Sequence, residues 1–317
     1  MAKHLIFLIL FTGILINPAH TQNPATNITV PHLGGHQFMP SNYVRDPFIK
    51  TYVRNSLGIG KALDVKIPLV VIDGNELIAL TGDILFLNLD FEYHQRVKDW
   101  LGVWGRFKVL GRLGSNTTAL LSEGVTAVSG FDLGWLIKLH QTKNTQLSGS
   151  LGLTNSQSTI VNILDFINGI IDGDFSSNNK LVNNIPALRG ELGLRYAWAL
   201  NDLFGTYLLG ELSYGQSSVE RNAGKFYYGL GGVLDFDLST RTVFPFGVAV
   251  GALHNSLPRS GEKTKKSSQS IFVRIGYNAQ TDFIISLETS MDFLPLSDTD
   301  KTLQAGLTTI NLRYYFQ

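Results

Sequence analysis

Not one residue of the chain is a cysteine. That excludes a disulfide-stapled scaffold, a thiolate metal site and a cysteine nucleophile. Charge is scarce as well. Asp, Glu, Lys and Arg make up 16% of the 317 residues, where a soluble domain averages about 25%. The 26 basic and 25 acidic side chains leave a formal net charge of +1. So near a balance excludes a basic nucleic-acid surface and an acidic disordered tail. Beyond the N-terminus no apolar run approaches the roughly 18–20 residues of a membrane-spanning helix. What is plentiful is hydrophobic surface (44%), aromatic rings (11%) and glycine, with 32 residues.

The N-terminus has the order of an export signal. Lys3 precedes an apolar run from Leu5 to Ile16, too short to span a bilayer, and Ala19-His20-Thr21 places small residues where a signal peptidase cuts. Residues 1–21 are therefore expected to be removed. Residues 22–50 are polar, with prolines at 24, 31, 40 and 47 and the pair Gly34-Gly35, and read as irregular. His32 and His36 stand four apart, but the glycines between them oppose a helix, so no metal pair is assigned.

From residue 83 onward the chain alternates with period two. Leu85, Leu87, Leu89, Phe91 and Tyr93 alternate with Asn88, Asp90, Glu92 and His94. Leu101, Val103, Phe107 and Val109 alternate with Trp104, Arg106 and Lys108. The split recurs in 131–140, 188–198, 226–238, 271–277 and 283–293. Such alternation over about ten residues means a strand between two different environments. The polar face carries few charges, mixed in sign and interleaved with Gly and Ser, unlike the water-facing side of a soluble sandwich. The apolar face often ends in Tyr, Trp or Phe, as the aromatic girdles of transmembrane barrels do.

Twelve strands are expected, near 51–61, 83–94, 99–111, 129–140, 144–154, 187–200, 203–215, 225–238, 242–254, 269–278, 281–293 and 302–316. Their connections alternate short and long, the pattern of periplasmic turns and extracellular loops. The long ones are 62–82, 112–128, 155–186, 216–224, 255–268 and 294–301. Asp73-Gly74 is a tight-turn pair, and a separate hairpin at 67–80 would raise the count to fourteen. Helical spacing within Thr117–Val128 and Ser158–Ile171 predicts one or two short helices on the long loops. The fold expected is all-β: a single antiparallel up-and-down transmembrane barrel over 51–317. Residues 22–50 would lie in the periplasm or thread the lumen.

The chain's last strand, with Ile310, Leu312, Tyr314 and Phe316 against Asn311, Arg313 and Tyr315, resembles the closing strand of Gram-negative outer-membrane β-barrel proteins. In those the terminal residue is usually aromatic; here Gln317 follows Phe316. The resemblance implies insertion by the barrel-assembly machinery and contact with outer-membrane lipid and lipopolysaccharide. It implies no substrate.

The inward register predicts a lumen lined by Asp90, Glu92, Arg106, Lys108, Asp132, Lys138, Arg189, Glu191, Arg195, Glu211, Asp235, Asp237, Arg274, Glu288, Asp292 and Arg313. With both signs present, the set reads either as an ion-pair lattice bracing the wall or as a polar pore. Three functions stay open. The first is a passive channel or transporter for small molecules, hydrophobic ones included. The second is a lipid hydrolase. His254-Asn255-Ser256 resembles the His-x-Ser of the outer-membrane phospholipase A family, although Leu257-Pro258 replaces that family's Asn-Gly. The third is a closed structural or surface-interaction barrel. No cofactor, metal or nucleic acid is expected.

Overall fold

The computed structural model describes residues 30–72, 75–113, 125–161, 182–216, 224–240, 242, 245–257, 266–295 and 302–316. Two short strands, β1 (His32–Leu33) and β2 (His36–Gln37), pair with each other. Gly34 and Gly35 between them have φ of 58° and 95°, a left-handed region in which side chains other than glycine are strained.

The remaining strands are β3 (Thr51–Ile72), β4 (Asn75–Lys98), β5 (Leu101–Leu113), β6 (Val125–Gln141), β7 (Thr145–Val161), β8 (Val182–Ala199), β9 (Phe204–Gly215), β10 (Lys225–Asp237), β11 (Phe246–Leu257), β12 (Lys266–Tyr277), β13 (Phe283–Pro295) and β14 (Thr302–Phe316). Each pairs antiparallel with its neighbours in sequence, and β14 pairs with β3 to close a barrel of twelve strands. Closure leaves no unpaired sheet edge, a requirement for a β-structure crossing a bilayer. A 3-10 turn at Leu238–Thr240 is the one helical element among the described residues.

Two expectations about the long connections are corrected. The segment 62–82 is not a loop. β3 and β4 continue through it to the pair Ile72↔Asn75, with register shifts between Ala62 and Val65 and around Pro68. Proline lacks the N–H a ladder needs, so the ladder adjusts there. Residues 67–72 and 75–80 thus lengthen two existing strands instead of forming a separate hairpin, and the count stays at twelve; Asp73-Gly74 lies outside the described residues. The helices expected at Thr117–Val128 and Ser158–Ile171 also lose ground: Val125–Val128 belong to β6 and Ser158–Val161 to β7. The rest of both segments lies outside the described residues.

The outward register forms a continuous apolar belt. On β9, Phe204, Leu208, Leu212 and Tyr214 all face out and are well exposed. The ten-residue step from Phe204 to Tyr214 spans about 33 Å along the strand. At a tilt of about 40° this covers about 25 Å of membrane depth, the height of the apolar band of outer-membrane barrels. Trp198, Tyr277, Tyr314 and Phe316 mark the short-turn end, and Phe226, whose ring lies 4.8 Å from that of Tyr214, marks the other. This is the architecture of an outer-membrane β-barrel.

Candidate functional site

The lumen is occupied. The segment 30–50, which precedes β3, enters the barrel at the short-turn end and packs against the inner wall. Val30, His36, Phe38, Met39 and Val44 are fully buried. With Leu33 and Phe48 the segment's apolar residues pack on Tyr207, Leu209, Val233, Ala249, Phe272, Ile284 and Tyr315 of the wall.

Glycines in the wall make room for this plug. A Cβ on Gly205 would lie 2.4 Å from His36 Nε2, and one on Gly231 2.8 Å from Val44 Cγ2. Met39 would meet a Cβ from Gly276 at 2.0 Å and one from Gly247 at 2.7 Å. These four glycines explain part of the unusual glycine content: they are the seats of particular plug side chains.

Polar contacts fix the plug at three levels. Nearest the short turns, His36 Nε2 lies 3.1 Å from Asp235 Oδ1, and the Met39 N–H donates to Asp235 Oδ2 at 2.8 Å. The Gln37 N–H donates to Asp237 at 3.2 Å, and the Tyr207 hydroxyl donates to the Met39 carbonyl at 2.9 Å. On the β7–β8 side, the Pro47 carbonyl accepts from Gln146 at 2.6 Å and from Ser148 at 2.7 Å. Asp46 pairs with Arg313 at 3.0 Å.

Farther in, the Asn42 N–H faces the Glu288 carboxylate at 3.3 Å, and its amide donates to Thr309 and Asn311. Tyr43 hydrogen-bonds Ser290 and Asp292 and stacks on Phe272 at 5.2 Å. Burial, then the Asp292 carboxylate, pushes its phenol well above the ordinary value, so it remains neutral. Arg45 bonds Asp132 at 3.1 Å while its guanidinium lies 4.3 Å from the Trp104 ring centroid.

The charged positions expected from the inward register fall into distinct groups. Asp90, Glu92 and Arg106 form a buried cluster with Arg54, which contacts Asp90 at 3.1 Å and Glu92 at 2.8 Å. Lys108 reaches Asp132 at 2.9 Å. Arg274 faces Glu288 at 3.6 Å. Asp235, Asp237, Asp292, Glu288 and Arg313 hold the plug, and Arg195 bonds the Asp46 carbonyl at 3.4 Å. Arg189 lies over Tyr227, and Glu191 accepts from Thr154 at 2.7 Å. Glu211 stands half-buried on β9. Lys138 sits at the short-turn mouth, bonded to Gln141 at 2.9 Å.

Reading the register alone missed Arg54 and the plug's own partners, His36, Asn42, Tyr43, Arg45 and Asp46. Tyr52, Arg54 and Ser56 alternate with outward residues and carried a usable signal. The plug is aperiodic and carried none.

His254 and Ser256 face outward on β11, in the lipid-facing register. Their bonds run to Tyr228: its N–H donates to Ser256 Oγ at 2.7 Å, and its hydroxyl lies 3.5 Å from His254 Nε2. A nucleophile and its base need to share a hydrogen bond; here both bond a third residue.

No protein-family model matches the sequence, and neither does any curated protein. Among solved structures, an outer membrane channel from Pseudomonas putida F1 is similar at 13% identity, covering 88% of this chain and 100% of that one with a TM-score of 0.48. The translocator domain of the autotransporter NalP from Neisseria meningitidis is similar at 9% identity, over 84% of this chain and 88% of its own, with a TM-score of 0.49. A Pseudomonas aeruginosa FadL homologue is 10% identical over 94% and 100% of the two chains, with a TM-score of 0.42. At these identities the likeness is one of architecture, and what the barrel does has to be argued from its own lumen.

Proposed function

We propose that the chain is a channel of a Gram-negative outer membrane, carrying small molecules by diffusion through a lumen that residues 30–50 close as a resident plug. The observation that carries this reading is the plug's separateness. It is no part of the wall's ladder, and it is seated in glycine niches at the short-turn half of the barrel. On the long-strand side the wall presents a vestibule of mixed character. Ala62, Ile84 and Ala305 form an apolar cluster there with Phe86 and Leu303. Lys108, whose side chain is 41% exposed, and the half-buried Glu191 and Glu211 supply polar groups. Such a surface suits a small solute with an apolar body and a polar end.

A reversible tether tests the reading. The chain has no native cysteine, and Met39 Cγ lies 2.7 Å from where a Cβ on Gly247 would sit, within disulfide reach. Met39→Cys/Gly247→Cys barrels in liposomes should release small amphiphilic solutes when reduced and retain them when oxidised. Equal retention in both states, and by a chain lacking residues 30–50, would leave a closed structural barrel instead.

A further inference from the structure

At the short-turn mouth, where the plug runs into β3, a cavity of about 250 Å³ lies between the end of the plug and the ends of β4 and β6. Pockets for drug-sized ligands run from about 300 to 1,000 Å³, so this one suits a smaller molecule. Phe48 and Ile49, both buried, give it an apolar wall. Lys50 of the plug, Arg96 of β4 and Lys138 of β6 give it a cationic one. Arg96 and Lys138 stand two residues beyond the buried inward side chains His94 and Leu136, and so on the lumen face of their strands. The cavity therefore meets the water of the mouth, not lipid.

The backbone brings these cations together. His94 Nδ1 donates to the Lys50 carbonyl, and the Arg96 N–H donates to Thr51 Oγ1 at 3.1 Å. Among the described residues Lys50 Nζ has no ion pair and no hydrogen bond, and the charges that act on it, those of Arg96 and Lys138, are both positive. Burial first, then these two charges, lower its pKa. Opposing groups are few. Asp99 is the one carboxylate among the described residues lining the cavity; its side chain is 90% exposed and lies 4.0 Å from Arg96 Nη1. Gln141 Oε1 accepts from Lys138 at 2.9 Å, and the Gln146 amide donates to the Pro47 carbonyl at 2.6 Å. His32, whose pKa burial lowers, is neutral.

Three cations against one solvated carboxylate leave a surplus of two positive charges around the cavity. A halide would offset half of it. A phosphate monoester carries about −1.5 to −2 charge at neutral pH on three acceptor oxygens, and lysine and arginine are the side chains that bind such a group. We propose that this cavity binds a small water-soluble phosphate monoester, its phosphate held by Lys50, Arg96 and Lys138 and its organic part against Phe48 and Ile49. Bound there, the phosphate ties the end of the plug to two strands of the wall, whether or not the barrel conducts.

The test is calorimetric titration of phenyl phosphate into the full chain in nonionic detergent, at about 0.15 M salt, where exposed charges more than about 8 Å apart are screened. Saturable binding of one phenyl phosphate per chain is expected. Lys50→Gln and Lys138→Gln should each weaken it about tenfold or more, the loss of one charge-assisted hydrogen bond. Lys50→Arg should retain it, as should Lys61→Gln, which lies farther along β3 and pairs with Asp83 at 2.6 Å. Nanodiscs of mixed phosphatidylethanolamine and phosphatidylcholine separate a soluble ester from a lipid headgroup: affinity equal to that in detergent is expected, and binding lost in the nanodiscs marks a headgroup as the occupant and overturns the proposal. So do the absence of saturable binding, binding indifferent to both glutamine variants at the mouth, and succinate binding more tightly than phenyl phosphate.

Discussion

Gly205 of β9 faces inward against two rings of the plug, and replacing it with valine asks whether those rings hold the plug down. The added Cβ would lie 2.4 Å from His36 Nε2, 2.5 Å from His36 Cδ2 and 2.7 Å from Phe38 Cε1, all below the 3.0 Å that real Cβ contacts respect. Neither ring can yield in place. His36 is fixed by Asp235, and Phe38 is fully buried against His36 at 4.5 Å and Phe48 at 5.1 Å. Displacing them gives up a hydrogen bond to a carboxylate, about 1.5–3 kcal/mol, and phenylalanine packing of about 3–5 kcal/mol. Even a net loss of about 3 kcal/mol shifts the docked-to-undocked ratio by about a hundredfold. The wall's own ladder is untouched, so the barrel still closes and still migrates in a heat-modifiable band. The assays are single-channel recording in planar bilayers and limited proteolysis of residues 30–50. Gly205→Val should conduct more often and lose the segment faster than Gly190→Val, whose added Cβ meets nothing within 4 Å. If the two variants are equally quiet and equally protected, the niche argument is wrong.

Other substitutions probe separate parts of the structure. Leu192→Arg places a charge at an outward, 57% exposed position in the middle of β8, at a cost of about 2–4 kcal/mol in the bilayer midplane; the folded, heat-modifiable fraction should fall, and unimpaired assembly would contradict the register. Asp235→Ala removes the acceptor of both His36 and the Met39 N–H, a loss of about 2–4 kcal/mol in plug docking, read as faster proteolysis of residues 30–50 with the barrel intact. Ser256→Ala should leave phospholipid in mixed micelles as intact as the native protein does, since Tyr228 holds both members of the His254/Ser256 pair; a native hydrolytic activity lost in the variant would revive the lipase reading.

How much of this was legible follows from periodicity. The outward rows Leu85–Tyr93 and Leu188–Trp198 declared themselves because lipid and lumen demand opposite residues at alternate positions. Asp235 and Arg313 were placed by the same rule. The hairpin at 62–82 was misread because Val65–Ile72 is an almost unbroken apolar run containing Pro68, so the alternation that marks a strand disappears just where the ladder shifts register. The plug was the larger omission. Phe38, Met39 and Val44 follow no period, and their burial depends on Gly205, Gly231, Gly247 and Gly276, far off in sequence. Inward-facing glycines on four consecutive strands, β9 to β12, were the available sign that something else fills the barrel there.

The plug's contacts also bear on how the cylinder stays shut. Asn42 reaches Asn311 across 269 positions of the chain, and Asp46 reaches Arg313 across 267. Both partners sit on β14, the strand that meets β3 at the seam, and the plug runs directly into β3. Ser56 of β3 bonds the same Asn311. The first and last parts of the polypeptide are thus joined twice, once by backbone pairing and once by side chains from inside. Such contacts are strongly non-local, and their loop-closure cost is met when β14 arrives. From then on the segment acts as a latch: separating β3 from β14 also breaks the contacts of residues 42–46 with β14, so the seam is buttoned from within.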